Sequence, residues 1–177
     1  NPDHVIVATG AKREAPEIPG KNLKHVFDGE EMRGLLLGGD DRGLKKLNPI
    51  KRALVATSQA LGLTNNINWV RVLSHLWMPL QKDIVIVGGG LVGIEIAEFL
   101  VERRRRVTVL EPSSTLSPEL SIVRRARVIH LLREHGCNML TKASVSHIDQ
   151  AGVHYEHKEQ WHCIKANQVI IALGADA

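Results

Sequence analysis

Aromatic residues are scarce in this sequence: one Tyr, two Phe and three Trp among 177 residues. A stacking platform for single-stranded nucleic acid is therefore not expected. Cysteine is nearly absent too, and Cys137 and Cys163 stand far apart with no CxxC spacing. Neither a disulfide scaffold nor a zinc site follows, and a reducing, cytoplasmic compartment is the natural expectation. No run of about 18 apolar residues exists, as a membrane-spanning helix requires. The most apolar candidate, residues 70–80, is broken by Arg71, Ser74, His75 and Pro79. No secretory leader is recognisable. Charge of one sign is not in excess either: 23 Lys+Arg against 19 Asp+Glu give +4, partly from the single run at 103–106. That balance does not make a nucleic-acid binder.

What is present is a globular composition, 44% apolar and 24% charged, enough for one ordinary domain with a flanking segment. The chain opens on Asn1, and residues 4–10 (His-Val-Ile-Val-Ala-Thr-Gly) already read as the end of a buried strand. It is expected to be part of a longer polypeptide. Residues 16–20 form a turn-rich connector with two prolines and Gly20. Val26-Phe27 reads as a brief strand, and Asp28 as the N-cap of a short helix to about Leu37, ended by Gly38-Gly39. Residues 51–61 and 67–78 carry apolar positions at helical spacing. Their expected role is to cover a sheet or a neighbouring domain, with a homo-oligomer contact as the alternative.

From Asp83 the pattern sharpens. Ile84-Val85-Ile86-Val87 and Val107-Thr108-Val109-Leu110 suit strands of a parallel sheet buried on both faces. Residues 91–101 and 119–134 read as helices, and 137–140 as a short strand. Residues 145–149, 153–157 and 161–164 read as a small antiparallel three-stranded meander, with turns at Gly152 and Lys158-Glu159-Gln160. Residues 169–174 (Val-Ile-Ile-Ala-Leu-Gly) close the chain as another buried strand and echo residues 5–10. The expected class is α/β: a Rossmann-like parallel sheet with helices on both faces, plus the meander.

One motif carries chemistry. Gly88, Gly90 and Gly93 fit G-x-G-x-x-G within Gly88-Gly89-Gly90-Leu91-Val92-Gly93, after a strand and at the start of a helix. The next strand ends in Glu111, 18 residues beyond Gly93, close to the spacing of about 20 found in dinucleotide-binding units. Gly88 permits the tight turn, Gly90 leaves room for a pyrophosphate, and Gly93 lets the helix lie close to the strand, with Ala97 keeping that contact small. The pyrophosphate would sit on the free N–H groups of the helix N-terminus. Glu111 would accept from the ribose hydroxyls and repel a 2′-phosphate. Residues 112–115 (Pro-Ser-Ser-Thr) offer no cation to bind one, so NAD(H) is favoured over NADP(H). Arg124 and Arg125 read as a solvated helix face.

Other features fall to structural readings. The run 103–106 ends the first helix, where cations complement its dipole. His154, His157, His162 and Cys163 suggest a metal, but 154 and 157 face opposite sides of a strand, as do 162 and 163, so none is expected. Tyr155 lacks the Lys four residues on that a short-chain dehydrogenase needs; position 159 is Glu. No Gly-Lys-Ser/Thr follows the glycines, which excludes a P-loop.

The order Ala8-Thr9-Gly10, then Pro16 through Gly20, then Gly88 through Gly93, then Ala172-Leu173-Gly174 resembles flavoproteins with two dinucleotide-binding domains. In those proteins an NAD(P)H domain is inserted between two segments of an FAD domain. The stretch from Val87 to Leu100, with Trp77-Met78-Pro79-Leu80 before it, looks most like NADH:flavin oxidoreductases of the 2,4-dienoyl-CoA reductase and 2-enoate reductase type. These belong to the pyridine nucleotide-disulphide oxidoreductase superfamily. The resemblance implies an FAD-domain edge and connector at 1–37, a helical linker at 38–79, the NAD(P)H domain at 80–174 and a return to the FAD domain at 175–177. It places Thr9 and Gly10 near FAD and Glu95 at the nicotinamide carboxamide. Ala172, Leu173 and Gly174 would border the nicotinamide side, and Val145 the adenine. FMN on a barrel domain and a Cys-ligated iron–sulfur cluster would lie elsewhere in the polypeptide. By itself the chain could not complete a catalytic cycle, and no general acid or base is assigned. Two other readings remain, a methyltransferase-like S-adenosylmethionine domain and a non-catalytic nucleotide sensor.

Overall fold

A computed structural model of the chain describes residues 17–29, 31–32, 43, 45–47, 49, 53 and 80–173. The strand expected at 4–10, with Thr9 and Gly10, lies outside the described residues. So do Gly174, the end of the helix expected after Asp28, and nearly all of the two helices expected at 51–61 and 67–78.

Strands β1 (Val26–Asp28), β2 (Asp83–Val87), β3 (Arg106–Glu111), β4 (Asn138–Thr141) and β8 (Gln168–Ile171) form one parallel sheet, ordered β1-β8-β2-β3-β4. Strands β5 (Ala143–Ile148), β6 (Val153–His157) and β7 (Gln160–Ile164) form the antiparallel meander. Helix α1 (Leu91–Glu102) links β2 to β3, and α2 (Ile122–Glu134) links β3 to β4. The α/β class and the small second sheet are as expected from sequence.

The β-branched runs place alternate side chains on opposite faces. Ile84, Ile86, Val107, Val109 and Ile170 meet Ile94, Ala97 and Leu100 of α1 and Val128 and Leu132 of α2. Val85, Val87, Leu110, Val169 and Ile171 meet Ala143, Ile148, Val153 and Tyr155 of the meander. Each fully buried aliphatic side chain stabilises by about 1.5–3 kcal/mol, so both layers hold the sheet. The described helices thus share one face, and among the described residues the other face carries the meander. The connector packs there as well: Ile148 N–H donates to the Pro19 carbonyl at 2.8 Å.

Local chemistry sets the element ends. Asp28, the expected N-cap, accepts through Oδ1 from Glu31 N–H at 2.7 Å, and Glu31 Oε2 accepts in return from Asp28 N–H at 3.1 Å, which completes a capping box. Helix α2 starts at Ile122 rather than Glu119, because Ser121 Oγ accepts from Arg124 N–H and Glu119 stays in the preceding turn. The basic run does not all end α1. Arg103 caps the helix, lies 3.5 Å over the Phe99 ring centroid and donates to the Phe99 carbonyl. Arg106 instead opens β3, where it clasps both Asp83 oxygens at 2.5 and 2.9 Å and holds that carboxyl below its usual pKa. His157 pairs with Gln160, so the β6–β7 turn is the two residues Lys158-Glu159, at φ 53° and 61°.

At Gly93 an added Cβ would lie 1.9 Å from the Gly88 carbonyl oxygen, so helix and turn touch through the missing side chain. Gly93→Ala is expected to lower the unfolding free energy by about 1–3 kcal/mol. Gly29→Ala, where an added Cβ meets nothing within 4 Å, is expected to be neutral or mildly stabilising. Denaturant titration of both variants checks the contrast.

Candidate functional site

The C-terminal ends of β2 and β8 lie side by side, and the glycine turn sits over them. Gly88 adopts φ 110°, donates to the Leu110 carbonyl at 2.8 Å, and has the Ala172 carbonyl oxygen 2.6 Å from where a Cβ would stand. Ala172 N–H donates to the Val87 carbonyl at 2.8 Å, which fixes the β8 exit against the turn. At Gly89 a Cβ would meet Leu116 Cδ2 at 2.4 Å and Glu111 Cβ at 3.0 Å. Gly88 and Gly93 are therefore required by backbone contacts, while at Gly89 an added methyl would have to displace the Leu116 side chain.

Gly90 is different. Its φ is −68°, an ordinary value, and the nearest atom to an added Cβ is Glu119 Oε1 at 3.5 Å. Nothing in the described packing demands glycine there. Gly90 is also the N-cap of α1, with no side-chain capping bond and no acidic residue in the first turn. The first N–H groups of this helix, from Leu91 onward, thus have no protein acceptor supplied by a cap.

Glu111 sits where the second strand was expected to deliver an acid, and its carboxylate is held by the backbone. Oε2 accepts from Gly89 N–H at 2.6 Å and Oε1 from Ser113 N–H at 2.8 Å. A carboxylate offers about four acceptor sites, so two remain for hydroxyls. Sequence reasoning missed the clamp beyond it. Ser117, 1% exposed, donates its N–H to the Gly89 carbonyl at 2.8 Å, and buried Leu116 packs on the same glycine. The available signal was a lone Leu inside the polar stretch 112–119.

The structure gathers Gly88, Gly89, Gly90, Gly93, Glu111, Ala172 and Leu173 around one turn. Leu91 and Val92 form the first turn of α1. Glu95 is exposed one turn on, and its Oε1 accepts from Arg124 Nη2 at 3.1 Å. Arg124 thus lies on a solvated helix face, as read from sequence, and pairs from there across to α1. Glu95 and Val92 also border an apolar cleft of about 190 Å³ with Met32, Ile96 and Phe99. Val145 lies on β5 and packs against the meander-side core.

The cysteines differ sharply. Cys137 is buried, and burial pushes its thiol up to about 12. Cys163 is exposed. Both are free thiols and form no pair, so the described residues carry no dithiol for redox exchange.

Fold and turn together define a class: α/β domains with a Gly-rich strand–turn–helix and an acid closing the following strand. The model of the pyridine nucleotide-disulphide oxidoreductase family matches residues 1–177, and the chain belongs to that family. Among curated proteins it is 29% identical over 175 residues to a bilirubin reductase of Mediterraneibacter gnavus (strain CC55_001C), covering 99% of this chain and 21% of the relative. It is 25% identical over 175 residues to an NADH oxidase of Thermoanaerobacter brockii, covering 98% and 21%. The chain therefore spans about a fifth of the length of these two relatives. Among solved structures, a 2-naphthoyl-CoA reductase complex aligns with a TM-score of 0.63 at 21% identity, over 96% of this chain and 20% of that one, which shows a shared fold. The family pairs NAD(P)H with FAD, and its named relatives are oxidoreductases. No helix among the described residues is long and apolar enough to cross a membrane.

The thiol contrast is directly measurable. Iodoacetamide near pH 8 is expected to label Cys163 in the folded protein and to spare Cys137 until denaturant is added, as read by peptide mass mapping. Equal labelling of both under native conditions contradicts the buried placement.

Proposed function

We propose that this chain binds a reduced nicotinamide dinucleotide and orients it toward FAD within a multidomain flavin oxidoreductase. Gly90 carries the reading: open space over an uncapped helix N-terminus, at the one motif glycine where an added Cβ meets no protein atom closer than 3.5 Å. The residues present fit a dinucleotide. N–H groups of the first turn, including those of Leu91, Val92 and Gly93, face an anion-binding position where the helix dipole favours a pyrophosphate. Glu111, already fixed by Gly89 and Ser113, has acceptor sites left for ribose hydroxyls.

The remaining roles rest on the family resemblance. Val145 walls the adenine. Ala172, Leu173 and Gly174 flank the nicotinamide, and Glu95 approaches its carboxamide, sharing its carboxylate with Arg124. Thr9 and Gly10 lie near FAD. The same reading divides the chain into an FAD-domain edge at 1–37, a linker at 38–79, the nucleotide domain at 80–174 and a return at 175–177. When bound, the nicotinamide supplies a hydride and the flavin accepts it; this chain's own work is binding and orientation. The carboxylate at Glu111 supports NADH over NADPH. The whole polypeptide is proposed to act as an NADH:flavin oxidoreductase of the enoate or dienoyl-CoA reductase type, with FMN and an iron–sulfur cluster in other domains. Membership of the family favours this dinucleotide over S-adenosylmethionine.

Calorimetric titration tests the site. Gly90→Val is expected to weaken NADH binding at least about tenfold, a loss of about 1.4 kcal/mol. Its thermal midpoint should stay within about 2–4 °C of the parent. Unchanged affinity would remove the nucleotide from this turn. Glu119 supplies a second check, because its carboxylate oxygen stands 3.5 Å from the Gly90 Cβ position and repels an incoming pyrophosphate. Glu119→Gln is expected to tighten NADH binding about two- to fivefold at low salt, with the gain shrinking as ionic strength rises.

A further inference from the structure

The outer face of the meander carries a row of side chains that the nucleotide site does not use. His147 of β5 pairs across the sheet with His154 of β6, and His154 pairs with Cys163 of β7. Cross-strand partners share a face, so these three side chains stand together at one level. The register shift between Val145 and His147 makes this possible. Without the bulge at Ser146, regular alternation along 145–147 would turn His147 toward the core side with Val145. Alternation does separate His154 from His157 and His162 from Cys163, as sequence indicates. What the sequence does not display is the row running across three strands.

The row is preorganised. The His147 and His154 rings stack at 4.1 Å with 9° between their planes. Asp149 Oδ2 lies 3.0 Å from His154 Nε2, and Cys163 Sγ lies 3.7 Å from the same nitrogen. One ligand atom from each of His147, Asp149 and His154 falls within 4.8 Å of the others. The second Asp149 oxygen accepts from Ala151 N–H at 2.8 Å and Gly152 N–H at 3.0 Å, so backbone fixes the carboxylate's aim. Ser146 Oγ meets His147 Nδ1 at 2.9 Å, which leaves Nε2 as that ring's ligand.

We propose that His147, Asp149, His154 and Cys163 form a binding site for a divalent cation of the Zn²⁺ class. Two imidazoles, a carboxylate and a thiolate are a four-donor set for a tetrahedral ion at about 2.0–2.3 Å. Nitrogen and sulfur donors disfavour Ca²⁺ and Mg²⁺. Ligand atoms around such an ion stand about 3.3–3.7 Å apart, so the His147, Asp149 and His154 group contracts as the rings turn their edges inward, and Cys163, which stands beside His154 outside that group, swings in about its Cβ. Binding releases the Cys163 thiol proton to solvent and keeps both imidazoles neutral, with no change in oxidation state. All four positions are filled by protein, so the ion acts as a cross-strand staple of the meander, not as a catalyst.

The test titrates the metal-free full chain with Co²⁺, and with Zn²⁺ against a chromogenic chelator. The expected result is saturable one-to-one binding with the intense visible bands of tetrahedral cobalt and a near-ultraviolet sulfur-to-cobalt band. Zinc should also protect Cys163 from alkylation. His147→Ala/His154→Ala is expected to weaken binding at least about a hundredfold, while His162→Ala, on the opposite face, binds as the parent does. Cys163→Ser is expected to lose the sulfur band and keep the fold, so the thiolate is tested even where the double variant unfolds. The proposal is overturned by absence of the cobalt bands, by parent-like affinity in the folded double variant, or by an unchanged spectrum in Cys163→Ser.

Discussion

The geometry of the proposed nucleotide site depends on how closely helix α1 approaches strand β2. With no side chain at Gly93, the first turn of the helix rests on the Gly88 carbonyl, and an added methyl would stand 1.9 Å from that oxygen. This contact sets where the helix axis points and therefore where its free N–H groups converge. Gly89 is then trapped between Leu116, Ser117 and Glu111, so the turn is held on its far side as well. Packing has settled every degree of freedom except the space above Gly90. A rigid frame of this kind presents donors without reorganisation when a ligand arrives.

Glu111 illustrates how one side chain can fix a turn and, in the proposed reading, recognise a ligand as well. Two of its acceptor sites hold the backbone of the glycine turn and of the loop after β3. Removing the carboxylate would disturb the turn before it disturbed any ligand, so its effect on specificity is read cleanly only beside a measure of stability. Glu119 holds no backbone in this way among the described residues, and its carboxylate lies beside Gly90.

Much of the fold was legible because β2, β3 and β8 are continuous apolar runs, a pattern that parallel strands buried on both faces impose on their sequence. The glycine motif was legible for a related reason: two of its four glycines, 88 and 93, answer to close backbone approaches. The misplacements have physical causes too. Glu119 looked like a helix start by periodicity, yet Ser117 and Leu116 are bound to Gly89 and hold that stretch in a turn. The four arginines look alike in sequence, but Arg103 finds the Phe99 ring and Arg106 finds Asp83, each through contacts set by tertiary structure. The histidine and cysteine row was invisible for the plainest reason: one bulged residue changes which face a side chain takes.

The position of β8 has a consequence for how the chain assembles. The last described strand lies between β1 and β2, so Val26 is paired with Val169 and Val85 with the same residue. Among the described strands β8 is what joins β1 to β2, so that part of the sheet closes only once residues 168–171 are made, and until then β2 has no described partner on that side. An apolar edge of that kind recruits other chains when left uncovered. The meander carries the chain from β4 back across the sheet to β8, so its docking brings the covering strand to the side of β2 that would otherwise be left open to another molecule.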